Sequence, residues 1–253
     1  MDFTNKTAIV TGAGQGIGFE ICRQLAANGA RVVLNDIDAD LALKATGAIN
    51  QLYPGSTHAL PGDCSETGVI QQLVLEAHTR FGRLDILIAN AGITLFGAFL
   101  DYTPEDFYKV MQVNLGGSFF LAQAAARLMR QQGSGGSILF MSSVTGHLAH
   151  KGLVAYGMSK AALEMLARNL VIELSEYGIN INSIAPGATL TERTTTDKNY
   201  EAAWKKITPG GRPATVADIA HAALFLVHER SRHINGQHLV IDGGWTSVGI
   251  QPE

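Results

Sequence analysis

Seven short apolar runs recur along the chain, at residues 7–10, 31–35, 57–60, 85–89, 137–141, 179–184 and 238–241. Several are apolar throughout rather than alternating, the pattern of strands covered on both faces by helices. Helical periodicity fills the intervals. Ile17, Ile21 and Leu25 make one stripe, and Leu73, Ala77 and Phe81 another. Residues 154–177 are long enough for a major helix, and residues 216–228 carry a stripe of Ile219, Ala223 and Leu226. Strands alternating with helices predict an α/β chain with a doubly wound parallel sheet of about seven strands and helices on both faces.

No composition shift marks a domain boundary. The stretch QQGSGG at 131–136 has the composition of a linker, but SILFMSS follows at once and needs the same core, so it reads as a surface turn. Residues 1–253 therefore read as a single domain. Residues 191–206, TERTTTDKNYEAAWKK, are polar and Thr-rich and then amphipathic around Trp204. They read as the centre of a substrate flap spanning residues 188–210.

Hydrophobic residues make up 46% of the chain and charged residues 16%, which excludes a disordered polypeptide. A net charge of −3 gives no footprint for nucleic acid or an anionic membrane. No run approaches the roughly 20 apolar residues that cross a bilayer. The opening MDFTNKTAIVTG runs into a strand pattern with no apolar signal core. Cys22 and Cys64 make neither a disulfide framework nor a zinc spacing, and no His, Cys and Asp cluster has ligand spacing, so no metal is expected. The expectation is a reduced, cytoplasmic protein.

The first apolar run ends in TGAGQGIG, residues 11–18, and a helical stripe follows. Strand, glycine turn and helix start together make an anion site. The backbone of Gly12, Gln15, Gly16, Ile17 and Gly18 can approach a pyrophosphate, whose charge meets free N–H groups and the positive end of the helix dipole. Asp36 ends the second run, about 20 residues beyond the turn, where a carboxylate accepts hydrogen bonds from ribose hydroxyls. That carboxylate would repel a 2′-phosphate, and no Arg or Lys stands at Gln15, Asn35 or Ile37 to hold one. The expected cofactor is NAD rather than NADP. A helix cap is the alternative role for Asp36, one that Asp38 and Asp40 fit better.

Tyr156 and Lys160 are four apart, one above the other on a helix face. An ammonium about 5 Å from the phenol, in an effective dielectric near 20, favours phenolate by about 3 kcal/mol, or about two pKa units. That brings Tyr within range of proton transfer near neutral pH. Ser143 ends the strand SILFMSS, at the edge where open α/β sheets bind ligands, and its hydroxyl can donate to a carbonyl becoming an alkoxide. Capping is the other common use of such a serine.

Residues 11–18 with the spacing Gly-x-x-x-Gly-x-Gly, Asn90-Ala91-Gly92 after the fourth run, Ser143, the Tyr156/Lys160 pair and Pro186-Gly187 after the sixth run occur in one order. This resembles the short-chain dehydrogenase/reductase (SDR) family, from about Lys6 to Gly244. The resemblance implies a Rossmann-type fold, Tyr156 as general acid/base, Lys160 on the nicotinamide ribose and Ser143 polarising the substrate oxygen. It implies that Asn114 is the fourth catalytic residue, holding a water that relays protons toward the lysine. It further implies adenine contacts from Asp63 and Cys64, and Asn90 bracing the sheet with Ala91 and Gly92 close to the cofactor. Contacts from Pro186, Gly187, Thr189 and Thr191 are implied as well, the two threonines near the carboxamide. Ala89 stands where the family more often has Asn.

The implied reaction is hydride transfer between nicotinamide and a secondary carbinol carbon, interconverting alcohol and ketone. The substrate pocket is expected from residues 94–96, residues 144–153 and the flap, with Ser143, His150, Leu153 and Tyr156 against the substrate and His147 a weaker candidate. The polar flap favours a sugar or polyol. Residues 207–244 are similar to bacterial members that include 3-oxoacyl-carrier-protein reductases and glucose dehydrogenases; Asp36 and the net acidity weigh against an acidic carrier protein. By the resemblance the chain is a homotetramer. A non-catalytic NAD-binding sensor on the same fold is the competing class, and the intact set of Asn114, Ser143, Tyr156 and Lys160 weighs for the enzyme.

Overall fold

The computed structural model describes residues 1–248; residues 249–253, the end of the expected 1–253 domain, lie outside the described residues. In chain order the strands are β1 (Thr7–Val10), β2 (Arg31–Leu34), β3 (Thr57–Ala59), β4 (Ile86–Ala89), β5 (Gly136–Met141), β6 (Ile179–Pro186), β7 (Thr189–Leu190), β8 (Ala214–Thr215) and β9 (His238–Ile241). The helices are α1 (Gly16–Ala27), α2 (Ala39–Leu52), α3 (Thr67–Phe81), α4 (Pro104–Met111), α5 (Ser118–Gln132), α6 (Val154–Leu174), α7 (Tyr200–Ile207) and α8 (Val216–Val227). Seven strands form one sheet in the order β3-β2-β1-β4-β5-β6-β9, every pair parallel. The short strands β7 and β8 pair separately.

The sheet separates two apolar layers. On one face α1, α2 and α8 bury Ile21, Leu25, Ile49, Ile219 and Leu224 against Val10, Val32, Leu34 and Ile88. On the other, α3, α5 and α6 bury Leu73, Leu121, Met129 and Leu163 against Ile9, Val33, Leu87 and Phe140. β1, β4, β5 and β6 are buried at every residue, as strands covered on both faces are, and β6 keeps Asn180 and Asn182 buried by hydrogen bonds to the carbonyl of Ile234. Chain order reverses between β1 and β4, so the carboxyl ends of these strands open a crevice where the connections diverge to opposite faces.

Local chemistry sets the boundaries. The Asp38 side chain accepts from Leu41 N–H and caps α2. Thr103 caps α4 ahead of Pro104, and Thr215 with Asp218 makes a capping box on α8. QQGSGG is a turn: α5 stops at Gln132, and Gly133 takes the left-handed conformation at φ +68. The Gln132 amide closes that corner on the N–H and carbonyl of Leu84. The predicted helix over 154–177 is α-helical to Leu174 and tightens into a 3-10 turn at Ser175–Tyr177. Periodicity did not single out α2, α4 and α5. Between α4 and α5 the segment Gln112–Gly117 is π-helical, a widening found frequently at functional sites. Among the described residues no helix is long and apolar enough to cross a membrane.

Leu87 is fully buried in β4, paired with Ile9 on one side and Ile138 on the other. Leu87→Ala is expected to cost about 2–5 kcal/mol, read as a lower urea midpoint with an unchanged slope.

Candidate active site

The glycine turn is held in place from β4. The Asn90 side chain donates to the carbonyls of Thr11 (2.9 Å) and Gly12 (2.8 Å). The Thr11 hydroxyl accepts the backbone N–H groups of Asn90 and Ala91 in return. Gly18 sits inside this knot: a Cβ there would lie 2.4 Å from the Gly12 carbonyl oxygen and 2.7 Å from Asn90 Nδ2. Gln15 precedes α1 without a side-chain cap, so the first N–H groups of that helix face the crevice unclaimed by it. Asp36 lies at the neighbouring strand end, where its carboxylate accepts from Gly14 N–H (2.9 Å) and Asp38 N–H (3.1 Å). A carboxylate has about four acceptor positions, which leaves capacity for ligand hydroxyls.

From Asn90 the chain runs through Ala91 to Gly92, whose added Cβ would lie 3.2 Å from both Asn114 Oδ1 and Lys160 Nζ. Asn114 is fully buried in the π-helical segment. Its amide accepts from Ile93 N–H (2.8 Å) and donates to the Ile93 carbonyl (3.0 Å) and to Ser159 Oγ (3.1 Å). Ser159 Oγ donates to the Tyr156 carbonyl (2.7 Å), and Lys160 Nζ donates to the Met141 carbonyl (2.8 Å). The first two turns of α6 are thereby fastened to both the π segment and the end of β5.

Ser143, Tyr156 and Lys160 line one cavity of about 220 Å³ at the carboxyl edge of the sheet. Asn90 and Gly92 after β4, Ile17 of the glycine turn, and Pro186, Gly187, Thr189 and Thr191 from the end of β6 onward line it too. Thr145 donates to Ser143 Oγ from both its N–H (3.3 Å) and its hydroxyl (3.0 Å), which leaves the Ser143 proton for an acceptor in the cavity, the Tyr156 oxygen in the protein alone. Ser143 also caps the short 3-10 turn that follows, so the capping and cavity readings hold together.

The electrostatics differ from the sequence expectation. Lys160 Nζ stands 5.5 Å from the Tyr156 ring centre, close to the spacing expected. Burial nevertheless dominates: it raises the Tyr156 pKa, against smaller lowering from the Ser143 and Thr94 hydroxyls and the Arg193 charge. Burial also takes Lys160 down to about 8. The expectation counted the attraction between phenolate and ammonium and omitted the desolvation of both, which is the larger effect in the protein alone.

The remaining predicted residues occupy distinct places. Asp63 accepts from Ser65 N–H, and burial raises the Cys64 thiol to about 12. Thr189 is buried and donates to the Gly187 carbonyl; Thr191 is knotted to Thr194. Leu153 is buried at the N-terminal end of α6, and His150 is exposed, its ring beside Phe96; neither lines the cavity. The 188–210 segment holds β7, a 3-10 turn and α7. It delivers Arg193 and Thr194 of the polar flap to the cavity, together with Tyr200, which composition alone did not single out. The helical spacing of Tyr200 and Trp204 was the available signal. A second group also went unseen: His147, Glu164 and His238 converge beside the cavity. Glu164 repeats the four-residue step of Tyr156 and Lys160, the one hint the sequence offers.

Comparison with known proteins agrees with this architecture. A family model described as Enoyl-(Acyl carrier protein) reductase matches residues 12–246. An NAD-dependent glycerol dehydrogenase of Listeria innocua is 37% identical, covering 97% of this chain and 95% of its own. An L-rhamnose-1-dehydrogenase of Scheffersomyces stipitis is 35% identical (94% and 95%), and a 3alpha-hydroxysteroid dehydrogenase of Mediterraneibacter gnavus 36% (96% and 98%). A solved gluconate 5-dehydrogenase from Burkholderia cenocepacia, in complex with NADP and tartrate, superposes with a TM-score of 0.90 at 33% identity over 98% of both chains. On this agreement of fold, motif order and sequence, the chain belongs to the short-chain dehydrogenase/reductase family of oxidoreductases acting on CH–OH groups.

Proposed function

We propose that this enzyme is an NAD-dependent dehydrogenase of a sugar, polyol or similar small hydroxylated substrate, with Tyr156 as general acid/base. The observation that carries the reading is the convergence of Ser143, Tyr156 and Lys160 on one cavity that also reaches Asn90, Gly92 and Ile17 of the dinucleotide crevice. The uncapped start of α1 and the Asp36 carboxylate fit the pyrophosphate and a ribose diol, and the strand-end walls at Gly187 and Thr189 fit the other half of a dinucleotide. When bound, the cofactor supplies a hydride-accepting ring. With substrate bound, Ser143 turns its proton to the substrate oxygen, and Tyr156 takes the hydroxyl proton. Lys160, with Nζ fixed on the Met141 carbonyl, holds positive charge beneath the phenol. Asn114 positions the lysine's surroundings through Ile93 and Ser159.

Thr94, Arg193, Thr194 and Tyr200 give the cavity a polar wall, which supports a hydroxylated substrate, as does similarity to glycerol and rhamnose dehydrogenases. The matched family description names an acyl carrier protein; net charge −3 offers no complement to an acidic carrier. Exposed Phe119, Phe120, Met165 and Ile172 on α5 and α6 support a homo-oligomer, a tetramer by resemblance. Two buried free cysteines suit the reducing conditions of the cytoplasm.

In a screen of sugars and polyols with NAD, wild type is expected to turn over at least one polyol. Tyr156→Phe should lose about 10²–10⁴-fold in kcat on that substrate. Retention of more than about a hundredth of the rate would remove Tyr156 from its role.

Calorimetric titration should give tighter NADH than NADPH binding. Asp36→Ser should shift that ratio toward NADPH by at least about tenfold, or 1.4 kcal/mol.

Burial moves Lys160 from 10.5 to about 8, so between those values the folded protein binds fewer protons than the unfolded chain. Stability therefore rises with pH across that window. Relative to Lys160→Met, wild type should gain about 2 kcal/mol between about pH 7.5 and about pH 9.5 in urea unfolding. A flat or falling difference would contradict a buried lysine of this kind.

A further inference from the structure

We propose that His147, Glu164 and His238 form a binding site for one divalent ion of the zinc class, beside the cavity that holds Tyr156 and separate from it. The donors come from three elements: the segment after β5, the middle of α6 and the first residue of β9. His238 Nε2 and His147 Nδ1 lie 3.3 Å and 3.4 Å from Glu164 Oε1, and all three ligand atoms fall within 4.8 Å of one another. Zinc bonds of about 2.0–2.1 Å to nitrogen and oxygen give a tetrahedron with edges of about 3.3–3.4 Å. Two edges already have that length. The third closes by rotation of His147, which is exposed on its loop.

The chemistry of the donors calls for a cation. His238 Nε2 is enclosed and has no hydrogen-bond partner among the described residues, because its approach to Glu164 has the distance but not the angle of a bond. Ser183 stands beside His238 in the β6–β9 register, and its Oγ lies 3.0 Å from His238 Nδ1. With that nitrogen donating to Ser183, Nε2 turns its lone pair toward the carboxylate. Two acceptors in contact repel unless a proton or a metal ion lies between them. The Ser183 contact is also the outer-shell arrangement that fixes a metal-binding histidine. Glu164 Oε1 is oriented in the same way by the Ser142 hydroxyl at 2.8 Å. At Gly146 a Cβ would come within 2.6 Å of Oε1, so the backbone there admits the carboxylate only without a side chain. Two imidazoles and one carboxylate suit zinc and its neighbours rather than calcium or magnesium. Exposed His147 supplies the path of entry, and solvent completes the coordination.

The test is a titration of the untagged, metal-stripped protein with Zn²⁺ alone, followed by calorimetry and thermal unfolding. One Zn²⁺ per chain is expected, with a rise in Tm. His147→Ala lies on the surface and spares the fold; it should weaken binding by about a hundredfold or more and abolish the Tm rise. Ser183→Ala, which removes only the outer-shell contact, should weaken binding about tenfold or more. Co²⁺ in place of Zn²⁺ should give the intense visible bands of a tetrahedral site in wild type and not in His147→Ala. Three results would overturn the proposal: no stoichiometric uptake by wild type, equal uptake by His147→Ala, or protonation of His238 as the only cation-linked event by NMR. Because the readouts are binding and spectra, each of these leaves the role of Tyr156 untouched.

Discussion

One amide side chain joins the two halves of the crevice. Asn90 closes the end of β4 onto the carbonyls of the glycine turn, and the hydroxyl of Thr11 answers from β1. The junction falls where strand order reverses, the place where neighbouring connections part to opposite faces of the sheet. Two residues further on, Gly92 passes against Asn114 and Lys160. A three-residue run therefore sets the distance between the anion-binding turn and the phenol–ammonium pair. Parallel pairing makes this possible, since it brings every strand out at the same edge.

At that edge, burial and charge pull against each other. The Tyr156 phenol and the Lys160 ammonium are close enough to favour the ionised pair. In the protein alone, desolvation disfavours both charged forms. The protein supports the lysine with a carbonyl and the tyrosine with two hydroxyls, while α6 is fixed through Ser159 and Asn114. Such rigidity suits a site whose dipoles must be in place before charge develops.

Much of this was legible in the chain. Strands buried on both faces leave uninterrupted apolar runs, which is why β1, β4 and β5 could be read to within a residue. The Asp38 cap and the glycine corner at 133 follow from local hydrogen bonding and φ alone. Motif order located Ser143, Tyr156 and Lys160, because a four-residue step on a helix and a strand end are both local statements. Three things were not local. Desolvation depends on everything packed around Lys160. The entry of Arg193 and Tyr200 depends on how residues 188–210 fold back over the strand ends. The meeting of Glu164 and His238 depends on the register that sets His238 beside Ser183.

The π-helical segment at Gln112–Gly117 carries a consequence of another kind. Its wider turn lets α4 keep Val110 inside while α5 turns Leu121 and Ala122 to the sheet and Asn114 reaches Ile93. Excision of a single residue here would restore ordinary winding and leave the facing of α4 and α5 unchanged, because the wide turn takes up one extra residue. The buried stripes would survive, and the contact of the Asn114 amide with Ile93 would be lost. A frame-preserving codon deletion at this point would therefore spare the apolar layers and strike the crevice, where Asn114 is held.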